Sequence, residues 1–308
     1  MINSIEEYLS ELKKELAGSD PATIQDALAD AEEYLMTALS GAVGQNPDIN
    51  KAEALSSIIS KYGEPVEVAA AYRENESRTP PAFAHVTVPH VAEGVPEAPA
   101  PDRRGFFGRF FGVFAEPKAW GSLFYLVLAL VTGTIYFTWA VTGLAVSVSL
   151  LILIIGLPVA ALFLLSVRGI ALVEGRLVEA LLGVRMPRRM RFAPKNTSLW
   201  QKLKNLLTDR HTWFSIVYMI VQLPLGIFYF TLFVTLIAFS LGLAFGPIVL
   251  SILNIPAYST DSYEYFAPVW ITPFTAVIGA FLLTGTMHLA KALGKIQGAI
   301  AKGLLVRQ

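Results

Sequence analysis

Hydrophobic and polar residues follow two different patterns along this chain, and the change between them falls near residue 118. Within residues 1–75, apolar side chains recur three or four positions apart, which is the spacing of an amphipathic helix. Gly18 and Gly63 interrupt the pattern, and Asp20-Pro21 is a typical start of a helix. The pattern predicts four short helices that pack into a bundle with a small core.

Beyond residue 118 the apolar residues form long runs instead of stripes. Residues 119–167 contain no charge over 49 positions, about twice the ~20 residues that one helix needs to cross a bilayer. We therefore predict four membrane-spanning helices, at about residues 119–141, 146–167, 212–237 and 268–290. The first pair is expected to turn near Thr142-Gly143. Residues 239–255 either prolong the third helix or form a half-inserted segment.

The first and third predicted spans are copies of one another. Thirteen of the 31 residues from Trp120 to Leu150 recur unchanged 93 positions later, between Trp213 and Leu243, where about three matches would be expected by chance. This gapless match indicates an internal duplication. We predict an all-α fold in which a small helical bundle precedes a membrane domain of two tandem repeats, about residues 117–187 and 209–308, inserted in the same orientation.

Acidic and basic residues are separated between the two parts. Residues 1–78 hold 15 acidic and 6 basic residues, whereas the remaining 230 hold 9 acidic and 18 basic ones, which gives formal charges of −9 and +9. All 18 of these bases fall on one side of the predicted spans, and the positive-inside rule places that side, with both termini, in the cytoplasm. The first residues lack the basic and apolar regions of a signal peptide. We therefore expect a multi-pass protein of the plasma membrane.

Two segments join the bundle to the first predicted span. Residues 76–104 contain six prolines and little periodicity, so we expect an extended linker. The arginines and phenylalanines at residues 105–118 suit an interfacial segment at the headgroup level of the bilayer, and packing against the membrane bundle is the alternative.

The basic residues on the cytoplasmic side are expected to meet anionic lipid headgroups. The same basic surface offers a docking site to the acidic bundle, and its place against the membrane argues against nucleic acid as a partner. The predicted lipid contacts are Arg104, Arg109, Arg185, Arg188, Arg189, Arg191, Lys202 and Arg210.

No residue pattern indicates catalysis. The chain has no cysteine, and the predicted spans contain no ionisable residue of the kind that pumps and ion-coupled carriers use. His85 and His90 are spaced for a metal ion but have no cysteine or carboxylate pair beside them. We therefore expect neither a cofactor nor an enzymatic activity.

Aromatic and acidic residues on the predicted external side are candidate contacts for a ligand or a partner. Tyr136, Trp139 and Tyr229 fall near the outer ends of the first and third spans, where ordinary interfacial residues are the alternative. The loop between the third and fourth spans adds Asp261, Tyr263 and Glu264, for which a plain connection is the alternative.

Several motifs in residues 1–75 carry a family resemblance. The chain reads Tyr-Leu-x-x-Leu-x-x-x-Leu from Tyr8 to Leu16, then Lys51-Ala52-Glu53-Ala54, and then Gly63-Glu64-Pro65 at the start of the fourth helix. These motifs resemble those of HAAS, a family of small α-helical signalling domains. The resemblance implies a cytoplasmic domain of a bacterial or archaeal membrane protein, and a role in relaying signals.

The membrane part resembles a second family. Leu181-Leu-Gly-Val-Arg-Met-Pro187, Thr208-Asp209, Thr212-Trp213 and Leu223-Pro-Leu-Gly-Ile227 are similar to motifs of a membrane sensor domain found ahead of some bacterial histidine kinases. The resemblance covers residues 117–307. No phosphoacceptor helix or ATP-binding domain follows, so kinase activity is not implied.

We accordingly expect a non-enzymatic sensor or regulator that couples a membrane or external signal to the cytoplasmic bundle. The bundle, residues 1–75, is expected to bind an unidentified protein partner, and homo-oligomerisation is left open. The alternative function is a structural or accessory membrane subunit that oligomerises or scaffolds a larger complex.

Overall fold

The acidic amino-terminal part forms four helices: α1 (Ile5–Glu15), α2 (Pro21–Gln45), α3 (Lys51–Tyr62) and α4 (Pro65–Arg78). The computed structural model describes residues 2, 4–46, 50–78, 105–150, 156–188, 207–260, 262–266 and 268–306. The side chains of Ser4, Asp20 and Asn50 accept backbone N–H groups at the starts of α1, α2 and α3. Helix α4 extends three residues into the predicted linker, and residues 79–104 lie outside the described part.

The bundle encloses a small apolar core. Tyr8, Leu12, Leu16 and Leu35 are fully buried, as their helical spacing predicts. The hydroxyl of Tyr8 donates a hydrogen bond of 2.8 Å to the carbonyl of Gly63, which ends α3 with a φ of +116°. Burial raises the pKa of Tyr8, because the ionised form would lose its hydration. This hydroxyl therefore remains a donor that fixes α1 to the end of α3.

The second part consists of long apolar helices. A short helix, α5 (Phe106–Phe111), and a 3-10 turn at Gly112–Ala115 precede α6 (Pro117–Leu150) and α7 (Gly156–Leu182). After residues 189–206, which lie outside the described part, come α8 (Arg210–Leu253) and α9 (Thr272–Leu305). Among the described residues, four helices are long and apolar enough to cross a membrane, so the chain is a membrane protein of almost entirely α-helical fold.

The predicted turn at Thr142-Gly143 is wrong, because α6 continues through it to Leu150. A β-carbon at Gly143 would lie 2.2 Å from the ring of Phe163 on α7. Glycine is therefore required at this position for close packing of α7 against α6, and not for a change of chain direction. The connection between the two helices falls at residues 151–155, which lie outside the described part.

The predicted ends of the other spans are also too early. Helix α7 continues fifteen residues beyond Val167, and α9 likewise continues through the basic tail to Leu305. Helix α8 extends to Leu253 with Pro224 and Pro247 inside it, so most of residues 239–255 prolong the third helix, as one of the two alternatives proposed.

A small β-hairpin lies between α8 and α9, where the sequence predicted only a loop. Strands β1 (Tyr258–Thr260) and β2 (Tyr263–Tyr265) pair antiparallel, with Tyr258 opposite Tyr265 and Ser259 opposite Glu264. Tyrosine and threonine favour strands, which explains the pairing in a segment too short for a helix.

Two compact units can be distinguished by their internal contacts. The first contains the bundle, the second half of α6, all of α7, the start of α8 and the end of α9. The second contains α5, the first half of α6 and the remainder of α8 and α9. Each unit has a polar centre of its own, which the next section describes.

Candidate functional site

A buried glutamate joins three helices of the first unit. Glu174 on α7 is 1% exposed, although it lies within a helix that is apolar enough to span a membrane. Tyr136 of α6 donates a hydrogen bond of 2.9 Å to its Oε2, and Tyr218 of α8 donates one of 2.6 Å to its Oε1. Hydrogen bonds to a carboxylate are the stronger kind, so this single side chain connects α6, α7 and α8.

The second unit has a corresponding centre built from amides. Gln297 of α9 is buried, and its Oε1 accepts a hydrogen bond of 3.2 Å from Tyr229 of α8. Its Nε2 donates to Oε1 of Gln222 at 2.9 Å. The Nε2 of Gln222 lies 3.4 Å from the hydroxyl of Tyr125 on α6. The hydrogen bonds from Gln297 thus reach Tyr229 of α8 directly and Tyr125 of α6 through Gln222.

These two centres occupy matching positions in the sequence. Tyr125 and Tyr136 precede Tyr218 and Tyr229 by the same 93 positions that relate the first and third spans. Gln297 follows Glu174 by 123 positions, and a glycine follows each of them directly.

Each unit also contains an ion pair, and the residues of the two pairs are separated by the same 93 and 123 positions. Arg168 of α7 donates a hydrogen bond of 2.6 Å to Asp209 in the first unit. Lys291 of α9 pairs with Glu116 in the second. Lys291 follows Arg168 by 123 positions, and Asp209 follows Glu116 by 93. One pair therefore links α7 to the segment before α8, and the other links α9 to the segment before α6.

The close backbone contacts between α6 and α8 also occur as a matched pair. A β-carbon at Gly133 would lie 2.6 Å from the carbonyl oxygen of Gln222, and one at Gly226 would lie 2.3 Å from that of Ala129. Gln222 and Gly226 are the residues 93 positions after Ala129 and Gly133. Small residues at such a crossing allow helix backbones to approach, as is common in membranes.

The acidic bundle contacts the end of α9 and the segment that follows α7. Asp20 uses Oδ1 to cap α2, while its Oδ2 forms an ion pair with Lys302 near the end of α9. Asp26 of α2, also buried, accepts a hydrogen bond of 2.7 Å from the backbone N–H of Arg188. These contacts place α2 against the end of α9 and the segment that follows α7.

A carboxylate of α7 holds the side chain of Arg188. Its guanidinium donates a hydrogen bond of 2.7 Å to Oε1 of Glu179, five residues after Glu174. This hydrogen bond, and secondarily the charges of Glu179 and Asp26, raise the pKa of Arg188 against the opposing effect of burial. The guanidinium of Arg188 is therefore held in its charged form.

The interfacial interpretation of Tyr136 and Tyr229 is wrong, since both are buried and bonded to the two polar centres. Trp139 is half-exposed, and its Nε1 donates to the hydroxyl of Ser166 at 2.8 Å. Helix α7, predicted to end at Val167, continues beyond Arg168 and contains the ionisable residue Glu174. Glu174 is not among the residues that the sequence indicates, because the second span is predicted to end before the basic residue Arg168. The nearest signal in the sequence is the pair of matching stretches, Val173-Glu174-Gly175 and Ile296-Gln297-Gly298.

The predicted external contacts remain predictions. Tyr263 and Glu264 are exposed on β2, and Asp261 lies outside the described residues. With Tyr258 and Tyr265, Tyr263 lies on one face of the hairpin, because directly opposed residues and alternate residues share a face.

The predicted lipid contacts have different surroundings. Arg188 binds Glu179 and the bundle, Arg185 is half-buried, and Arg210 lies over the ring of Phe214 at 5.8 Å. Outside the described part lie Arg104, Arg189, Arg191, Lys202 and the side chain of Arg109.

The fold and these contacts define a class: a helical membrane protein with four candidate spans and an acidic helical bundle attached to them. Comparison with protein-family models identifies two domains. Residues 125–305 match the family described as "Putative sensor", and residues 7–71 match HAAS. Because the first match covers more than half of the chain, the protein belongs to this sensor family.

The predicted order, HAAS followed by a membrane sensor domain, is thus confirmed. The two domains together indicate a role in signalling. Neither the curated proteins nor the solved structures give a significant match.

Proposed function

We propose that this protein is a non-enzymatic membrane sensor whose membrane domain holds or releases the HAAS bundle in response to a signal, and that the bundle then acts on a cytoplasmic protein. The observation that carries the proposal is the contact of α2 with the end of α9, through Asp20 and Lys302, and with Arg188 in the segment that follows α7. A bundle held in this way responds to a shift between the two helices.

The two attachment points correspond to each other in the duplicated domain. Lys302, which binds Asp20, follows Glu179 by the same 123 positions that separate Gln297 from Glu174. Glu179 in turn holds Arg188, whose amide binds Asp26. The bundle thus contacts corresponding places in the two proposed repeats. The reciprocal glycine contacts and ion pairs support two repeats that are related by a local two-fold axis.

Charge complementarity supports a reversible contact. The bundle and linker start carry −9 and the remainder of the chain +9. The ion pair between Asp20 and Lys302 is partly exposed to solvent. Such pairs contribute only about 0.2–1 kcal/mol, so this ion pair by itself holds the bundle weakly. A weak, specific attachment suits a switch better than a permanent scaffold.

Orientation follows from the distribution of bases, which supports a cytoplasmic bundle and cytoplasmic termini in a prokaryotic plasma membrane. The remaining bases on that side would meet anionic headgroups. The partner of the released bundle would be a protein, bound through residues 1–75.

A double-mutant cycle on the docking contact tests this function. Spin labels at Glu33→Cys on α2 and Ala299→Cys on α9 report the separation of bundle and membrane domain, and the chain has no native cysteine to interfere. Asp20→Asn keeps the oxygen that caps α2 but removes the charge, and Lys302→Gln removes the partner charge. Each should reduce the equilibrium constant for docking by about 1.4- to 5-fold, and docking in the double variant should be no weaker than in either single one.

The matched control is Lys295→Gln, at an exposed lysine of the same helix, which should leave the separation unchanged. Additive losses in the double variant, or an equal loss in the control, would show that the bundle does not dock through this pair.

A further inference from the structure

The β-hairpin between α8 and α9 has one aromatic face and one polar face. The polar face carries Ser259 and Glu264, which lie directly opposite each other on β1 and β2. All six residues of the two strands are exposed, so the described part of the chain leaves both faces uncovered. The other face, the tyrosine face, consists of Tyr258, Thr260, Tyr263 and Tyr265.

A hairpin as small as this one needs a surface to cover it. Each strand is three residues long, and a hairpin of two strands alone is at best marginally stable in water. Tyr258 and Tyr263 are 62% and 61% exposed, so most of each side chain is open to the surroundings. Exposed aromatic patches of this kind mark a surface that another molecule contacts. The tyrosine face is therefore a contact surface, and its neighbours indicate what it contacts.

Apolar helix ends flank the hairpin on both sides in the chain. Helix α8 ends with Ile252 and Leu253, and both side chains are exposed. Val269 and Trp270, which precede α9, and Phe274 in its first turn are exposed as well. Both helices are long and apolar enough to cross a membrane, and exposed apolar residues on such helices face lipid. The hairpin thus connects two lipid-facing surfaces, and the tyrosine face continues them.

The chemistry of the tyrosine face suits the headgroup layer of a bilayer. Tyrosine and tryptophan are enriched where the acyl region meets water, because each has an apolar ring and a polar group that remains hydrated. No lysine or arginine occurs between Arg210 and Lys291, whereas Asp261 and Glu264 do. Attraction to anionic headgroups therefore contributes nothing here, and the aromatic rings must supply the contact.

We propose that the hairpin lies along the bilayer surface, with its tyrosine face in the headgroup layer and its polar face in water. The tyrosine face then contacts lipids of the leaflet at this end of α8 and α9. The hairpin acts as an anchor that fixes how deeply the two helices enter the bilayer. This arrangement holds for either orientation of the chain in the membrane.

Two adjacent residues provide a matched pair of labelling sites for the test. Thr260 lies on the tyrosine face and Ser259 on the polar face, and replacing either one leaves all three tyrosines in place. The full-length protein, which has no native cysteine, carries a nitroxide at Thr260→Cys or at Ser259→Cys in phosphatidylcholine nanodiscs. The relaxation of each nitroxide is measured with oxygen, which concentrates among acyl chains, and with a nickel chelate, which stays in water.

The two labels should differ in depth. The label at residue 260 should respond mainly to oxygen, and the label at residue 259 mainly to the nickel chelate. The first should lie about 5–10 Å deeper, since apolar faces at the headgroup boundary are buried to that depth. Adding phosphatidylglycerol to the nanodiscs should leave this difference unchanged, because no base lies in this segment.

Replacing the three tyrosines tests whether their rings hold the hairpin. In the Thr260→Cys protein, the combined changes Tyr258→Ser, Tyr263→Ser and Tyr265→Ser should bring the label within reach of the nickel chelate. The matched control replaces the same three tyrosines by phenylalanine, which keeps the rings and should keep the label at its depth.

Four outcomes would overturn the proposal. Access of the nickel chelate to both labels would show that the hairpin projects into water. Shielding of both labels from both reagents would show that protein covers the hairpin, and broadening of the spectra by a second nitroxide would identify that protein as another copy of this chain. An unchanged depth in the serine variant, or a depth that depends on phosphatidylglycerol, would refute the contact through aromatic rings.

Discussion

Replacing Gly226 by alanine tests whether α6 and α8 depend on their close approach. The new β-carbon would lie 2.3 Å from the carbonyl oxygen of Ala129 and 2.7 Å from its carbonyl carbon. Contacts between carbon and a carbonyl oxygen settle at about 3.3 Å, so the two backbones must separate by about 1 Å. Both obstructing atoms belong to the backbone of a helix, and no change of side-chain rotamer can relieve the overlap.

The expected magnitude follows from two opposing effects. Overpacking of this kind typically costs ~1–3 kcal/mol, and a gap of about 1 Å removes up to half of the dispersion energy at the contact. Alanine recovers up to about 1 kcal/mol through its better helix propensity. We therefore expect Gly226→Ala to lower the free energy of unfolding by about 1–2 kcal/mol. Gly133→Ala should be somewhat milder, because its nearest obstruction is at 2.6 Å.

The assay is unfolding of the full-length protein in mixed micelles with increasing dodecyl sulfate, followed by circular dichroism and by gel mobility. Gly242→Ala is the matched control, since it is the same substitution in the same helix with no atom within 4 Å of the new β-carbon. It should be neutral or stabilising by about 0.4–1 kcal/mol. Equal effects of the two substitutions, or a gain of stability in Gly226→Ala, would refute the close contact.

Three further predictions concern the bundle and the orientation of the chain. Tyr8→Phe removes the bond to Gly63, so exchange of α1 amide hydrogens in the full protein should indicate a loss of about 0.5–1.5 kcal/mol. Because burial raises the pKa of Tyr8, the stability that this hydrogen bond contributes is present below pH 10 and is lost as the pH rises above 10. A Tyr8→Phe protein that loses stability at alkaline pH just as the wild type does would contradict the assignment. An impermeant maleimide on intact cells should label Ser259→Cys and spare Glu33→Cys, and the reverse result would invert the proposed topology. Trp120 and Trp213 each donate a hydrogen bond to the carbonyl six residues earlier. If the repeats share an orientation, lipids brominated at one depth should quench the fluorescence of both tryptophans equally. Quenching at unequal depths would exclude a shared orientation.

The elements of the amino-terminal bundle could be predicted from the sequence because local chemistry fixes them. Asp20-Pro21 starts a helix and Gly63 ends one through interactions that reach only a few residues. The long apolar runs likewise predicted four spans, since a bilayer imposes a length on any helix that crosses it. Their ends were misplaced at Thr142-Gly143 and at Val167, because charge and glycine content do not show what packs against a helix.

The two polar centres lay beyond sequence reasoning for a different reason. Tyr136 and Tyr218 are 82 positions apart, and only the folded chain brings both to Glu174. Read alone, Glu174 is one acid in a basic stretch, and Tyr136 is one aromatic residue in a span. The 93-residue repeat was visible without any structure, but the matching offset of 123 in the second helices emerged only from the contacts.

The sequence by itself thus determined which segments are helices, which are apolar enough for a membrane, and that residues 120–150 match residues 213–243 without a gap. These properties depend on neighbours within a few turns or on composition. Tertiary structure decided which glycine is a contact point, which carboxylate is buried, and where the acidic bundle attaches. Those properties depend on residues that are far apart in the chain. Whether a residue is buried depends on what packs against it and not on that residue alone.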